Sequence, residues 1–100
     1  MTHSAIALAT TIARSDDLVF AELGDETVLM SLEQSEYYGL DAIGTRIWAL
    51  LDQPMTVADL CHRLVQLYAV ELEICQQDTL DFLQELYDAK IITVVDTPAA

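Results

Sequence analysis

Basic side chains are scarce in this chain: four Lys and Arg stand against seventeen Asp and Glu, a formal net charge of -13. A surface of that sign repels a phosphate backbone, which argues against nucleic acid as a partner. Glycine is sparser still. Gly24, Gly39 and Gly44 are the three, and none falls in a phosphate-cradling loop pattern. The two cysteines, Cys61 and Cys75, lie fourteen positions apart, which supports neither a zinc knuckle nor a disulfide framework, so reduced, buried thiols are expected. No apolar run approaches the ~20 residues needed to span a bilayer, and the opening MTHSAIALATTIAR lacks the basic start of a signal peptide. The expected location is the cytoplasm, away from the membrane.

Catalytic chemistry is also poorly supplied. His62 neighbours Cys61 on a predicted helix, where successive side chains diverge by about 100°, so the two form neither a metal pair nor a nucleophile–base pair. His3 lies in the N-terminal segment without an identifiable cluster. Glu71, Glu73, Asp78, Asp81, Glu85 and Asp88 read as the solvated face of a helix, since the glycine that a calcium loop needs at its sharp turn is missing. No catalytic residue, no metal site and no cofactor is expected.

Hydrophobic residues make up 53% of the 100 positions, enough for one domain with a packed core. Residues 1–15 are weakly patterned and read as a flexible arm, with Ile6, Leu8 and Ile12 as positions where part of it packs; residues 16–96 form the domain. Three short strands are expected at Leu18–Leu23, Thr27–Glu33 and Glu36–Leu40, with turns at Gly24-Asp25 and Gln34-Ser35. In the second of these, Val28, Met30 and Leu32 share one face and Leu29, Ser31 and Glu33 the other.

From Asp41 the period becomes helical. Asp41 is placed to cap a helix whose stripe is Ile43, Ile47, Leu50 and Leu51 and which stops near Asp52, ahead of Pro54. Gly44 inside that helix points either to a close contact with a neighbouring backbone, the favoured reading, or to a tolerated weakness. Thr56 with Asp59 opens a second helix carrying Val57, Leu60, Cys61, Leu64, Leu67 and Tyr68. A third runs from about Leu72 to Ala89, with Phe82, Leu83 and Leu86 as core candidates and a second line at Leu80, Gln84 and Tyr87. The run from Ile91 to Val95 is either a short strand or an extended tail.

A three-stranded meander followed by three helices buries both apolar surfaces by stacking sheet on helices, which gives a small α+β, winged-helix-like domain. If spatial order follows chain order, EYYGL is an edge strand with an unpaired backbone ladder. Natural edges are guarded by lysine, proline or bulges, whereas this one carries Tyr37 and Tyr38. Either one tyrosine packs inward and the other covers surface, or the edge accepts a guest strand with Leu80 and Tyr87 lining a groove beside it.

The runs VLMSLEQSEYYGLDAIGTRIWALL, TVADLCHRLVQLYAV and DTLDFLQELYDAKII, spanning roughly Asp17 to Val95, resemble the PqqD-like family. The resemblance implies a RiPP recognition element, a non-catalytic module that binds the leader of a ribosomally made precursor peptide and presents it to modifying enzymes. In that family the leader adds as an antiparallel strand to the third strand, in a cleft against the third helix. Carried onto this chain, the peptide-binding residues are Glu36, Tyr37, Tyr38, Gly39 and Leu40 on the strand, with Gln76, Leu80, Leu83, Gln84 and Tyr87 on the helix. The YYGL and RIW features look most like the stand-alone leader-binding proteins of lasso peptide biosynthesis, whose partners are a leader peptidase and a cyclase. A chaperone for a radical-SAM peptide-modifying enzyme is the alternative. Asp41, Asp52-Gln53 and Ala89-Lys90 depart from the family pattern, the last two where glycine is common. A winged-helix DNA-binding regulator fits less well, because the third helix offers only Lys90 against its acidic residues. A dimerisation or scaffold domain pairing through the same edge is a further option; the expected state is a monomer or weak dimer.

Overall fold

The computed structural model describes residues 6–33 and 35–95. Within them the order is β1 (Thr11–Arg14), β2 (Leu18–Leu23), β3 (Glu26–Ser31), β4 (Glu36–Leu40), α1 (Ala42–Leu50), β5 (Met55–Thr56), α2 (Val57–Leu67), α3 (Leu72–Asp88) and β6 (Ile92–Val94). The class is α+β, with the expected three-stranded antiparallel sheet packed on three helices. A second small sheet, in the order β5-β1-β6, was not anticipated.

In the main sheet β2, β3 and β4 lie side by side in chain order. Gly24 turns the first hairpin with a φ of +68°, a left-handed conformation that glycine enters without a steric penalty. Register pairs Thr27 with Leu40, Leu29 with Tyr38 and Ser31 with Glu36. Thr27, Leu29 and Ser31 are buried, so alternation turns this set toward the helices and sends Val28, Met30, Tyr37 and Gly39 to the outer face. The middle strand ends at Ser31 instead of Glu33. Ser35 donates its amide to the Ser31 carbonyl at 2.7 Å, which draws Leu32 and Glu33 into the turn.

Both helix starts follow the capping chemistry of the sequence. Asp41 Oδ1 accepts from the Gly44 amide at 2.8 Å, and Thr56 Oγ1 accepts from the Asp59 amide at 3.1 Å; each satisfies a donor that the first helical turn leaves free. The buried face of α1 differs from the expected stripe. Gly44, Ile47 and Trp48 point inward, while Ile43 is 53% exposed. The core is completed by Leu51, by Val57, Leu60, Cys61 and Leu64 of α2, and by Cys75, Thr79, Leu83 and Leu86 of α3. Leu40 is buried with them.

The flexible arm expected over residues 1–15 is corrected for residues 6–15; residues 1–5 lie outside the described part. Ile6 and Ile12 are buried, Leu8 packs against the core, and β1 pairs with both β5 and β6, Ile12 lying opposite Met55 and Val94. Arg14 gives this segment a second anchor. Its Nε and Nη2 donate to the Trp48 carbonyl at 3.1 and 2.6 Å, supplying charged donors to the last turn of α1, where carbonyls lack helical partners. The same guanidinium lies 4.4 Å from the Trp48 ring centroid and 5.3 Å from that of Phe20, within cation–π range. The Ile91–Val95 run, left open between strand and tail, forms β6 over Ile92–Val94.

The end of α3 explains the Ala89-Lys90 departure from a glycine-containing turn. The Ile91 amide bonds the Leu86 carbonyl at 2.8 Å and the Lys90 amide bonds the Tyr87 carbonyl at 3.0 Å, the pair of bonds of a Schellman motif. Lys90 takes the left-handed position, φ +64°, which glycine usually fills, and its ion pair with Glu33 at 3.6 Å is exposed and worth little. Lys90→Gly is therefore expected to stabilise the domain by about 0.5–1 kcal/mol, read as a higher urea midpoint at unchanged m-value. A lower midpoint would mean that the Glu33 pair outweighs the strain.

Candidate functional site

The outer edge of β4 pairs with nothing among the described residues: its partner on one side is β3, and the other side is open. The register sorts its side chains. Glu36, Tyr38 and Leu40 fall on the helix-facing side, while Tyr37, 74% exposed, and Gly39 fall on the outer side. One tyrosine thus packs toward the helices and its neighbour stands in solvent, yet the backbone ladder stays available, so the two readings of the doubled tyrosine are compatible.

At its C-terminal end β4 runs directly into the Asp41 cap and α1. There Gly44 allows a close approach: a Cβ at that position would lie 3.1 Å from Phe82 Cζ and 3.3 Å from Leu40 Cβ. A close contact is thus present at Gly44, between the start of α1, the end of β4 and the middle of α3, but it is made to side chains and not to the neighbouring backbone that was expected. Beyond it opens a cavity of about 340 Å³. Ile43 and Ile47 of α1, Leu64 of α2, Tyr68 and Val70 of the following loop, and Ile74 and Phe82 of α3 provide apolar walls, with Asp41 and Asp78 among the lining residues. A separate, smaller cleft of about 20 Å³ lies along the first half of β4, between Glu36, Tyr37 and Tyr38 on one side and Ala89 and Ile91 on the other. The cleft flanks the start of the open strand and the cavity lies past its end, at Asp41.

The strand half of the expected site is therefore brought together, with Leu40 contributing backbone only because its side chain is buried. The helix half is not. Leu83 is 0% exposed and belongs to the core. Gln76 and Leu80 line an open depression with residues 6–9, Tyr87 lines another with Ser15, Asp17 and β6, and Gln84 donates to Asp88 Oδ1 at 3.0 Å on the helix surface. Residues four and seven apart share a helix face, and the face turned to β4 carries Asp78, Phe82, Glu85 and Ala89. Phe82, assigned to the core by periodicity, is only partly buried and is the side chain that meets α1 and β4. The wall expected at Gln76, Leu80, Gln84 and Tyr87 sits on the opposite flank of the buried Thr79–Leu83–Leu86 line. Gly44, with the side chains of Phe82, Asp41 and Leu40 close by, marks the flank of α3 that is turned to β4.

Of the two buried cysteines, Cys75 lines the cavity and Cys61 does not. Cys75 Sγ lies 3.8 Å from Thr79 Oγ1 and 4.0 Å from the Cys61 carbonyl, and burial pushes the Cys61 thiol above its ordinary value, which keeps it protonated and unreactive at neutral pH. Among the described residues no group of His, Cys, Asp and Glu is arranged to hold a metal, and no helix is long and apolar enough to cross a membrane. His62 is exposed on α2.

Three comparisons with known proteins follow this geometry. The family model described as "Coenzyme PQQ synthesis protein D (PqqD)" matches residues 26–92. Among solved structures, TbiB1 in complex with the TbiA(beta) leader peptide is similar at 32% identity and a TM-score of 0.78, over 85% of this chain and 99% of that one. The solution NMR structure of the PqqD truncation of Methylobacterium extorquens PqqCD, which represents a functional and stand-alone RiPP recognition element, shares the fold at 20% identity and a TM-score of 0.75, over 90% of this chain and 96% of that one. No curated protein matches the chain.

Tyr38 offers a test of the packing around β4. Burial first, and the Glu85 carboxylate second, raise the pKa of its hydroxyl. The folded protein keeps a proton that the unfolded chain releases near pH 10, so this contribution is complete below about pH 10 and is lost as the pH rises through the folded value. Unfolding free energy should fall less steeply above about pH 10 in Tyr38→Phe than in the wild type. Parallel slopes in denaturant titrations would place Tyr38 in solvent, away from Glu85.

Proposed function

The chain belongs to the PqqD family, and from that premise we propose that it binds the leader of a ribosomally synthesised precursor peptide by strand addition to β4 and delivers it to separate modifying enzymes. The leader lies antiparallel along Glu36–Leu40, its backbone completing the ladder that β4 leaves open, and its inward side chains enter the cleft and the cavity beside α3. The observation that supports this reading is an unpaired strand with a cleft along its first half and an apolar cavity just past its end. Main-chain bonds give affinity in such a mode and side-chain pockets give specificity. The leader-bound state of TbiB1, 32% identical over most of both chains, supports a leader as the guest. It also favours a lasso-type pathway, with a leader peptidase and a cyclase as the enzymes served.

Magnitudes agree with a transient carrier. Burying two or three apolar anchors contributes about 1.5–3 kcal/mol each, and ordering the free peptide costs about 2–5 kcal/mol. That balance is at most about 7 kcal/mol, so a micromolar dissociation constant, about 8.2 kcal/mol, also draws on the main-chain hydrogen bonds of the added strand, about 0.5–1.5 kcal/mol each; such an affinity is tight enough to capture a precursor and loose enough to release it.

Titration of a labelled leader peptide locates the wall. Phe82→Ala, and Ile43→Asn at the exposed rim of the cavity, should each weaken binding by about tenfold, equivalent to about 1.4 kcal/mol. Leu80→Ala and Tyr87→Ala, on the far flank of α3, should stay within about twofold. Loss of affinity in the second pair with none in the first would move the peptide to the other side of the helix.

A further inference from the structure

The groove carries charge of one sign along its whole length. Glu36 shares the helix-facing side of β4 with Tyr38, Glu85 lies near Tyr38 on α3, and Asp41 and Asp78 line the cavity. Asp41 is committed in part, since Oδ1 accepts the Gly44 amide. Glu36, Asp78 and Glu85 have no hydrogen-bond or ion-pair partner among the described residues. No basic side chain lines the cavity or the cleft. Arg14 is held by the Trp48 carbonyl, Lys90 pairs with Glu33, and Arg46 and Arg63 are exposed outside both.

A guest strand in this groove pulls water away from unpaired carboxylates, which disfavours binding unless the guest supplies the missing charge. The spacing says where. Asp78 and Glu85 are seven residues, about 10 Å, apart along α3, with Phe82 between them. Same-face residues of an extended strand recur about every 6.5–7 Å, so three successive inward side chains cover the acid–aromatic–acid stripe. Resting on the reading of the groove as the leader site, we infer that its preferred guest carries a basic–x–apolar–x–basic pattern, in which a leucine-, phenylalanine- or tyrosine-sized side chain meets Phe82 and a lysine or arginine two positions to either side meets Asp78 and Glu85. Asp78 and Glu85 are then specificity-determining residues, and long-range attraction to the -13 chain adds to the rate of capture.

Selection from a displayed library of random 12-residue peptides tests the pattern, with the wild type, Phe82→Ala and the double variant Asp78→Asn with Glu85→Gln as baits. Both charge-removing substitutions are isosteric and at exposed positions, so the fold is preserved. The wild type should enrich lysine or arginine two residues before and after an apolar residue. The double variant should keep the apolar preference and lose the basic one. For a peptide enriched on the wild type, exchanging both basic residues for glutamate should weaken binding about tenfold or more at low salt and less at high salt. Enrichment of apolar strands without basic flanks overturns the charge pattern and leaves the leader site in place. Equal enrichment by the wild type and Phe82→Ala, with no shared pattern, overturns both.

Discussion

The structure turns on the approach of α1 to α3 at Gly44. With Phe82 Cζ and Leu40 Cβ both within 3.3 Å of where a side chain would begin, only hydrogen fits there without displacement. Five consecutive residues then do three jobs: Leu40 ends the strand in the core, Asp41 caps the helix, and Gly44 seats that helix on Phe82. Because strand end, cap and helix contact are so close in sequence, the open edge of β4 is fixed relative to the face of α3. A binding path made of one backbone ladder and one helix face needs that fixed relation, since a guest strand must satisfy both at once.

The second sheet and Arg14 hold the frame from behind. By pairing β1 with β5 and β6, the chain ties its N-terminal segment to the start of α2 and to the strand after α3. Arg14 then ties β1 to the last turn of α1 through the Trp48 carbonyl. These contacts lie on the side away from β4 and leave its edge unpaired among the described residues. Among the described residues the opposite edge of the main sheet, at β2, is unpaired as well, but Phe20 there stacks edge-on to Trp48 at 5.5 Å and no apolar cavity adjoins it among those described. Position beside the cavity is what favours β4 over β2 in the proposed reading.

Local chemistry was readable in the sequence, and tertiary choices were not. The limits of β2 and β4, the Asp41 and Thr56 caps, the α2 stripe from Val57 to Leu64 and the presence of a close contact at Gly44 follow from propensity, capping and period, all of which act over a few residues, whereas Leu67, expected in that stripe, is 51% exposed. The N-terminal strand escaped notice because Thr11–Arg14 is four residues long and its partners are some 40 and 80 positions away; pairing over such distances leaves no local pattern. Which flank of α3 faces β4 was not legible for a related reason. Leu80 and Phe82 lie on either side of Leu83 on the helical wheel, so an apolar arc wider than one face is compatible with either flank meeting the sheet. Likewise Trp48 is packed by Phe20 and Arg14, which come from elements distant in sequence.

The central claim is that β4 is completed by a foreign strand, and amide hydrogen exchange on the protein with and without a saturating leader peptide tests it most directly. In the free protein the β4 amides that do not bond to β3 exchange quickly. With peptide bound, those same amides should slow by at least about tenfold, while amides of residues 6–9 and the Leu80 flank of α3 stay unchanged. Protection that leaves β4 at its free rate and appears instead on that other flank would contradict the account.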